Sequence, residues 1–182
     1  FGTQHAVIRY YSKYNKKREK DGLLTISVLI PLIIILLFVP IFFAFYDDIK
    51  SYLFQSNETL SKYVYVIIYI AISTSFFEIF YSWLRVKLKS VFGNFLKEIF
   101  PRFLISFLLI SYSAGVINFE KFIMFLIYGY YIRLIIVVIY SFYIIKPKIN
   151  FSFKEDFGEI FKYCILIFLS GAASSIILDI DK

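Results

Sequence analysis

The sequence has very few residues of the kinds that hold metals, form disulfides or act as catalytic bases. Among 182 residues there is one cysteine, Cys164, and one histidine, His5. A single cysteine forms neither an intrachain disulfide nor a cysteine metal cluster, and a single histidine offers no histidine metal site and no obvious general base. Nothing in the chain resembles a nucleophile motif or a nucleotide-binding loop. We therefore expect no enzyme activity, no metal and no cofactor.

Charge is also scarce. Only 18% of the residues are charged and 60% are hydrophobic, with a mean hydropathy of +0.75, whereas a soluble domain is about 45–50% apolar and about a quarter charged. The net charge of +7 could indicate nucleic acid binding, but in a membrane protein it more often reflects basic cytoplasmic loops. We expect the lipid bilayer, and not nucleic acid, as a partner.

The apolar residues are concentrated in five runs, and each run is close to the length that crosses a hydrocarbon core of about 30 Å as a helix. This pattern predicts an all-α, polytopic transmembrane helix bundle. The predicted spans are 22–46, 63–84, 103–119, 122–145 and 163–178.

The distribution of lysine and arginine predicts the orientation of these spans. Fifteen of these cations lie in alternate loops, and four lie in the other loops and the C-terminal end. The basic loops are 1–21, 85–102 and 146–162, and the loops with few cations are 47–62 and 120–121. Because basic loops stay in the cytoplasm, we expect Phe1 to be cytoplasmic and Lys182 external. The chain does not begin with Met and opens on what resembles the end of an element, so we expect an internal piece of a longer chain.

Two charges interrupt the predicted spans, Glu78 and Arg133. Each costs roughly 2.5–3.5 kcal/mol at the bilayer centre, which argues for a partner or a water-filled cavity. Glu78 shares one helix face with Ala71, Thr74, Ser75, Ser82 and Arg85. We hypothesise that Glu78 and Arg133 form an ion pair or face one aqueous cavity. The pair could serve only to fix helix packing. Alternatively, Arg133 could bind a phosphate or acidic substrate, with Tyr130 on the same face contributing a hydroxyl and a ring for sugars.

Three small or helix-bending residues are further candidates. Pro31 and Pro40 lie inside the first predicted span and predict either a simple bend or a hinge. Gly171 belongs to a run of small residues, 170–175. Such runs permit close helix packing, or they form a thin wall of a cavity.

Both ends of the chain resemble Wzx-type polysaccharide flippases, which belong to the multidrug/oligosaccharidyl-lipid/polysaccharide exporter superfamily. At the start, Gly2, Arg9 and the tyrosines after Arg9 precede a lysine-rich loop, similar to the loop between the second and third helices of that family. At the end, Tyr163, the small residues from Ser170 and the final Asp179, Asp181 and Lys182 resemble its seventh helix. Cys164 and Leu166 depart from the pattern, since the family often has glycine and proline there.

The resemblance implies that the five spans are helices three to seven of a two-lobe transporter with alternating access, similar to multidrug exporters in fold. It implies export of a lipid-linked oligosaccharide across a bacterial inner membrane, and other polysaccharide assembly proteins as possible partners. The alternatives are a cation-coupled multidrug exporter of the same superfamily and a membrane polysaccharide polymerase. The polymerase would usually need a large external loop, and the external loops predicted here are short.

Overall fold

Helices make up every regular element in the described part of the chain. The structure is a computed structural model that describes residues 2–53, 62–150 and 157–180. The elements in chain order are α1 (Thr3–Tyr10), α2 (Lys17–Ala44), α3 (Tyr46–Leu53), α4 (Val64–Val86), α5 (Ser90–Asn94), a π-helical turn (Phe95–Ile99), α6 (Phe100–Ser113), α7 (Phe119–Ile145) and α8 (Phe157–Ile180). The all-helical class predicted from the sequence is confirmed over these residues.

Three of these helices, α2, α4 and α7, are long and apolar enough to cross a membrane. They contain 28, 23 and 27 residues, so each exceeds a hydrocarbon core of about 30 Å at about 1.5 Å per residue. Large apolar side chains such as Leu36, Phe38 and Ile139 are about two-thirds exposed, which suits contact with lipid. The molecule therefore has the helices of a membrane protein. The other two predicted spans fall on α6 and α8.

The helical segment that contains α6 begins well before the predicted span. Residues 90–113 are helical throughout, although 85–102 was expected to be a loop, and the π-helical turn stands just before Pro101. A proline ring clashes with the carbonyl four residues earlier in a regular α-helix. In the π turn, the Phe100 N–H donates to the Phe95 carbonyl, five residues back. This wider turn lets the helix continue into Pro101.

The turn between α6 and α7 comes earlier than the sequence predicted. Helix α6 ends at Ser113, where Gly115 adopts a left-handed conformation with φ of 71°. The Val116 N–H donates to the Ser111 carbonyl and the Gly115 N–H to the Tyr112 carbonyl, which is the Schellman arrangement. As a result, residues 120–121, which were predicted to form the external loop, lie in the first turn of α7.

The core forms where α4 packs against α1, α2 and α7. Its largest fully buried side chains include Phe77, Leu84 and Leu23. Trp83 of α4 packs edge-on against Phe142 of α7 with ring centroids 5.7 Å apart, and its indole N–H donates to Ser27 Oγ of α2 at 3.2 Å. Helix α4 is therefore the element against which α1, α2 and α7 pack.

Candidate intramembrane site

Arg133 lies at the interface of α4 and α7, where it is only 4% exposed. Its guanidinium carbon lies 4.2 Å from the ring centroid of Phe77 and 4.8 Å from that of Tyr130. Both contacts are cation–π interactions, which strengthen when the pair is desolvated. The Nε and Nη2 atoms are buried and have no hydrogen-bond partner among the described residues. Two aromatic rings thus contact the guanidinium, while two of its nitrogen atoms donate no hydrogen bond to the described residues.

Two small residues bring neighbouring helices close to this arginine. Ser73 of α4 is fully buried, and its Oγ donates to the Tyr130 carbonyl of α7 at 2.9 Å. Gly129 packs against the Leu104 side chain of α6, which a Cβ at position 129 would meet. The close approach expected of Gly129 is therefore present. Sequence reasoning missed Ser73, because the polar residues that follow it, Thr74 and Ser75, mark a different face of α4.

Glu78 forms its ion pair with Lys97 and not with Arg133. The Lys97 Nζ lies 2.8 Å from Glu78 Oε1, and both side chains are partly exposed. Lys97 belongs to the π-helical turn, and its Nζ also lies 5.4 Å from the ring centroid of Tyr81. The Tyr81 hydroxyl in turn donates to Asn94 Oδ1. The sequence placed Lys97 in a loop, but the continuous helix from Ser90 carries it back against α4.

The polar face of α4 lines a cavity of about 280 Å³ between α1 and α4. The lining residues are Thr3, Gln4, Ala71, Thr74, Ser75, Glu78 and Ile79. Glu78 therefore faces a cavity, as one form of the hypothesis required, but Arg133 is not among the lining residues. Ser82 and Arg85, predicted for the same face, lie elsewhere. Ser82 is buried and bonded to the Ile79 carbonyl, while the Arg85 guanidinium lies 5.8 Å from the centroid of the Tyr81 ring.

An apolar cavity of about 490 Å³ adjoins the polar one. Side chains of α2, α4 and α8 line it, including Ile34, Phe38 and Phe168. Ala71 and Ser75 line both cavities. The polar and the apolar cavity therefore lie next to each other along α4.

The predicted hinge and packing residues have different surroundings. Helix α2 is continuous through Pro31 and Pro40, with Pro31 buried and Pro40 exposed. A Cβ at Gly171 of α8 would meet no atom within 4 Å, so Gly171 faces open space in the described structure. The close packing considered for this position is not seen among the described residues.

The two ends that carry the family resemblance meet in the structure. The Arg9 guanidinium lies 4.6 Å from the ring centroid of Tyr163, and Gly2, with φ of 75°, packs against the backbone of Cys164. A Cβ on residue 2 would collide there, so this contact favours glycine. Asp179 lies in α8, where its side chain is not described, and Asp181 and Lys182 lie outside the described residues.

A carboxylate from α8 completes this contact between the two ends. Glu159 accepts a hydrogen bond from the Tyr10 hydroxyl at 3.3 Å and lies 3.8 Å from the Lys13 ammonium. Burial, and then the Glu159 carboxylate, raises the pKa of Tyr10. The hydroxyl therefore remains a donor at neutral pH. The sequence had placed Tyr10 in the family resemblance and Lys13 among the basic-loop cations, but it had not predicted that either contacts Glu159.

The described residues form a helical bundle with three helices long and apolar enough to cross a membrane, a buried cation and a polar cavity between α1 and α4. No family model, curated protein or solved structure matches the chain.

Proposed function

We propose that this chain is part of a membrane transporter that moves a polyprenyl-pyrophosphate-linked oligosaccharide across the cytoplasmic membrane for surface polysaccharide biosynthesis. The observation that carries the proposal is Arg133, whose buried Nε and Nη2 have no hydrogen-bond partner among the described residues. Leaving a buried donor unpaired costs free energy. Pyrophosphate oxygens would supply acceptors in the two-pronged geometry that a guanidinium prefers.

The two adjoining cavities support a substrate with two chemically different parts. The cavity beside Glu78 offers hydroxyl, amide and carboxylate groups from Thr3, Gln4 and Glu78, which suit a sugar. The apolar cavity between α2, α4 and α8 suits a hydrocarbon chain. Such a substrate would need Arg133 to become accessible during transport, because the arginine lines neither cavity as described.

The resemblance of the chain ends to Wzx-type flippases supplies the rest of the proposal. In this view α6 and α8 are the third and fifth of the five spans, and the chain forms most of one lobe and the start of the second. Alternating access between the lobes would expose the bundle interior to one membrane side at a time. The membrane is then the bacterial inner membrane, with residues 1–21 in the cytoplasm and the C-terminal end outside.

The test measures where lipid-linked repeat units accumulate in cells that carry Arg133→Ala. We expect export to fall about tenfold or more, which corresponds to a loss of about 1.4 kcal/mol or more of interaction, with precursors retained on the cytoplasmic face. Arg133→Lys keeps the charge but not the two-pronged geometry and should restore export only in part. The control, Arg102→Ala, removes an arginine whose side chain is 82% exposed. Unchanged export in Arg133→Ala, at normal protein level, would remove Arg133 from the mechanism.

A cation-coupled multidrug exporter is the second candidate, because a carboxylate, Glu78, lines the polar cavity. Protonation or cation binding at Glu78 would compete with its ion pair to Lys97. Deletion of the gene distinguishes the two functions. Drug sensitivity with intact surface polysaccharide favours the exporter, and lost polysaccharide with unchanged drug sensitivity favours the flippase.

A further inference from the structure

Two lysines from different helices converge on the ring of Tyr11 at one end of the bundle. The Lys20 Nζ lies 5.2 Å and the Lys87 Nζ 5.4 Å from the Tyr11 ring centroid. The two ammonium groups are therefore no farther apart than the sum of these distances. Tyr11 itself is only 8% exposed. Packing at the end of α1 therefore fixes the position of the ring that both lysines contact.

Among the described residues, this lysine pair has no carboxylate at ion-pair distance. Neither ammonium forms an ion pair within 4 Å with a carboxylate of the described residues, the neighbouring Asp21 included. The cluster around Tyr10, at the same end of the bundle, differs in this respect. There Lys13 lies 3.8 Å from a Glu159 carboxylate oxygen. Like charges that lie close together without a counter-charge repel one another. An external anion bound at the Tyr11 cluster would reduce this repulsion.

The position of the pair indicates the source of that anion. Lys20 precedes the apolar stretch of α2, which begins at Gly22, and Lys87 directly follows α4, which ends at Val86. Both lysines therefore stand just beyond the hydrocarbon-length part of a membrane helix, at the depth of lipid headgroups. Basic groups between membrane helices at this depth attract anionic headgroups.

We propose that Lys20 and Lys87, gathered over Tyr11, bind the phosphate of an anionic membrane lipid. The site is distinct from Arg133 and both cavities, and it does not depend on what the protein transports. A lipid held there would bridge the start of α2 and the end of α4. It would also place a negative charge beside the two ammonium groups.

The test uses the full chain in detergent and measures retained lipid by native mass spectrometry after equilibration with equal amounts of phosphatidylglycerol and phosphatidylcholine. We expect K20Q/K87Q to lower the ratio of retained phosphatidylglycerol to phosphatidylcholine about tenfold, because each basic residue near the surface adds to headgroup attraction. The matched control, K16Q/K89Q, removes two charges from the same loops without touching the Tyr11 ring and should lower the ratio about twofold or less. K20R/K87R keeps both charges and should retain the ratio.

Two results would overturn the proposal. Equal losses in K20Q/K87Q and K16Q/K89Q would show general surface attraction without a site. A soluble-anion site would instead give equal thermal protection of the unchanged protein by inorganic phosphate and by phosphatidylglycerol. Export assays on K20Q/K87Q keep this test separate from the proposed function, because lost lipid retention with intact export still supports the lipid site.

Discussion

Glu78 and Arg133 are both charges within helices long enough and apolar enough to cross a membrane, but their surroundings differ. Glu78 is partly exposed, lines a polar cavity and has a lysine at 2.8 Å. Arg133 is 4% exposed, lines neither cavity described above, and is held by two rings with two donors unpaired. The carboxylate therefore already has the counter-charge that an intramembrane ion requires. The guanidinium has no such counter-charge at ion-pair distance in the part of the chain that the structure describes, which makes it the stronger candidate for contact with a ligand.

The largest effect should come from replacing Arg133 by methionine, which keeps much of the side-chain volume and removes the charge. We expect transport to be lost while the free energy of unfolding changes by no more than about 1 kcal/mol, since an apolar replacement of a buried charge is often neutral or stabilising. Export assays and unfolding in detergent would measure both quantities. A destabilisation of several kcal/mol would show that the cation–π contacts with Phe77 and Tyr130 hold the bundle together, and would weaken the contrast with Glu78.

The ion pair between Glu78 and Lys97 should contribute less to the free energy of unfolding than expected for a charge within an apolar helix. Both side chains are partly exposed, so Glu78→Gln should cost about 1 kcal/mol. A double-mutant cycle with Lys97→Gln should give a coupling energy of about 0.5–1 kcal/mol. The pair of Glu98 and Arg102 is longer, at 3.7 Å, and more exposed, so its cycle serves as the control and should give nearly zero. Equal coupling in the two cycles would contradict the view that Lys97 satisfies Glu78.

Gly129 offers a test of the packing that surrounds Arg133. Gly129→Ala should cost about 1 kcal/mol, because the new methyl group forces the Leu104 side chain of α6 to move. Leu104→Ala in the same chain should remove much of the clash. Gly171→Ala is the matched control: its methyl group meets open space, and alanine favours the helix by up to about 1 kcal/mol. Thermal unfolding would measure all three variants, and equal effects at positions 129 and 171 would exclude the close approach of α6 to α7.

The smallest effect should come from Ser73→Ala, which removes the hydrogen bond between α4 and the Tyr130 carbonyl of α7. Hydrogen bonds between membrane helices contribute about 0.6 kcal/mol on average, and we expect a loss of that size in unfolding free energy. Ser111→Ala removes an exposed bond within α6 and should change almost nothing. A large loss of transport in Ser73→Ala with little loss of stability would mean that this bond positions Arg133 through Tyr130.

The apolar runs predicted the helices well, because hydrophobic length is a local property of the chain. The helices on the runs at 22–46, 63–84 and 122–145 begin or end within about five residues of the expected positions, inside or just beyond the usual uncertainty of helix ends. The same counting identified Glu78 and Arg133 as the charges inside these helices. Five spans and two lobes remain predictions.

The partner of Glu78 could not be predicted in the same way. The sequence predicts Lys97 to be a loop cation because the apolar run of the next span begins only at residue 103. The continuation of the helix upstream of Pro101 depends on a π turn, which no simple periodicity reveals. Likewise, the contact of Arg133 with Phe77 depends on the rotation of α4 and α7 about their axes. That rotation is set by interhelical contacts such as Ser73 with Tyr130, and not by either helix alone.

The π-helical turn at Phe95–Ile99 also determines which side chains of α6, the helix that follows it, face the neighbouring helices. A π turn accommodates about one residue more than a regular helix, and one residue corresponds to a rotation of about 100°. Lys97 points to α4 from within the turn, whereas Leu104, beyond the turn, meets Gly129 of α7. The extra residue thus rotates the helix that follows it. As a result, one continuous helical segment contacts α4 through Lys97 and α7 through Leu104.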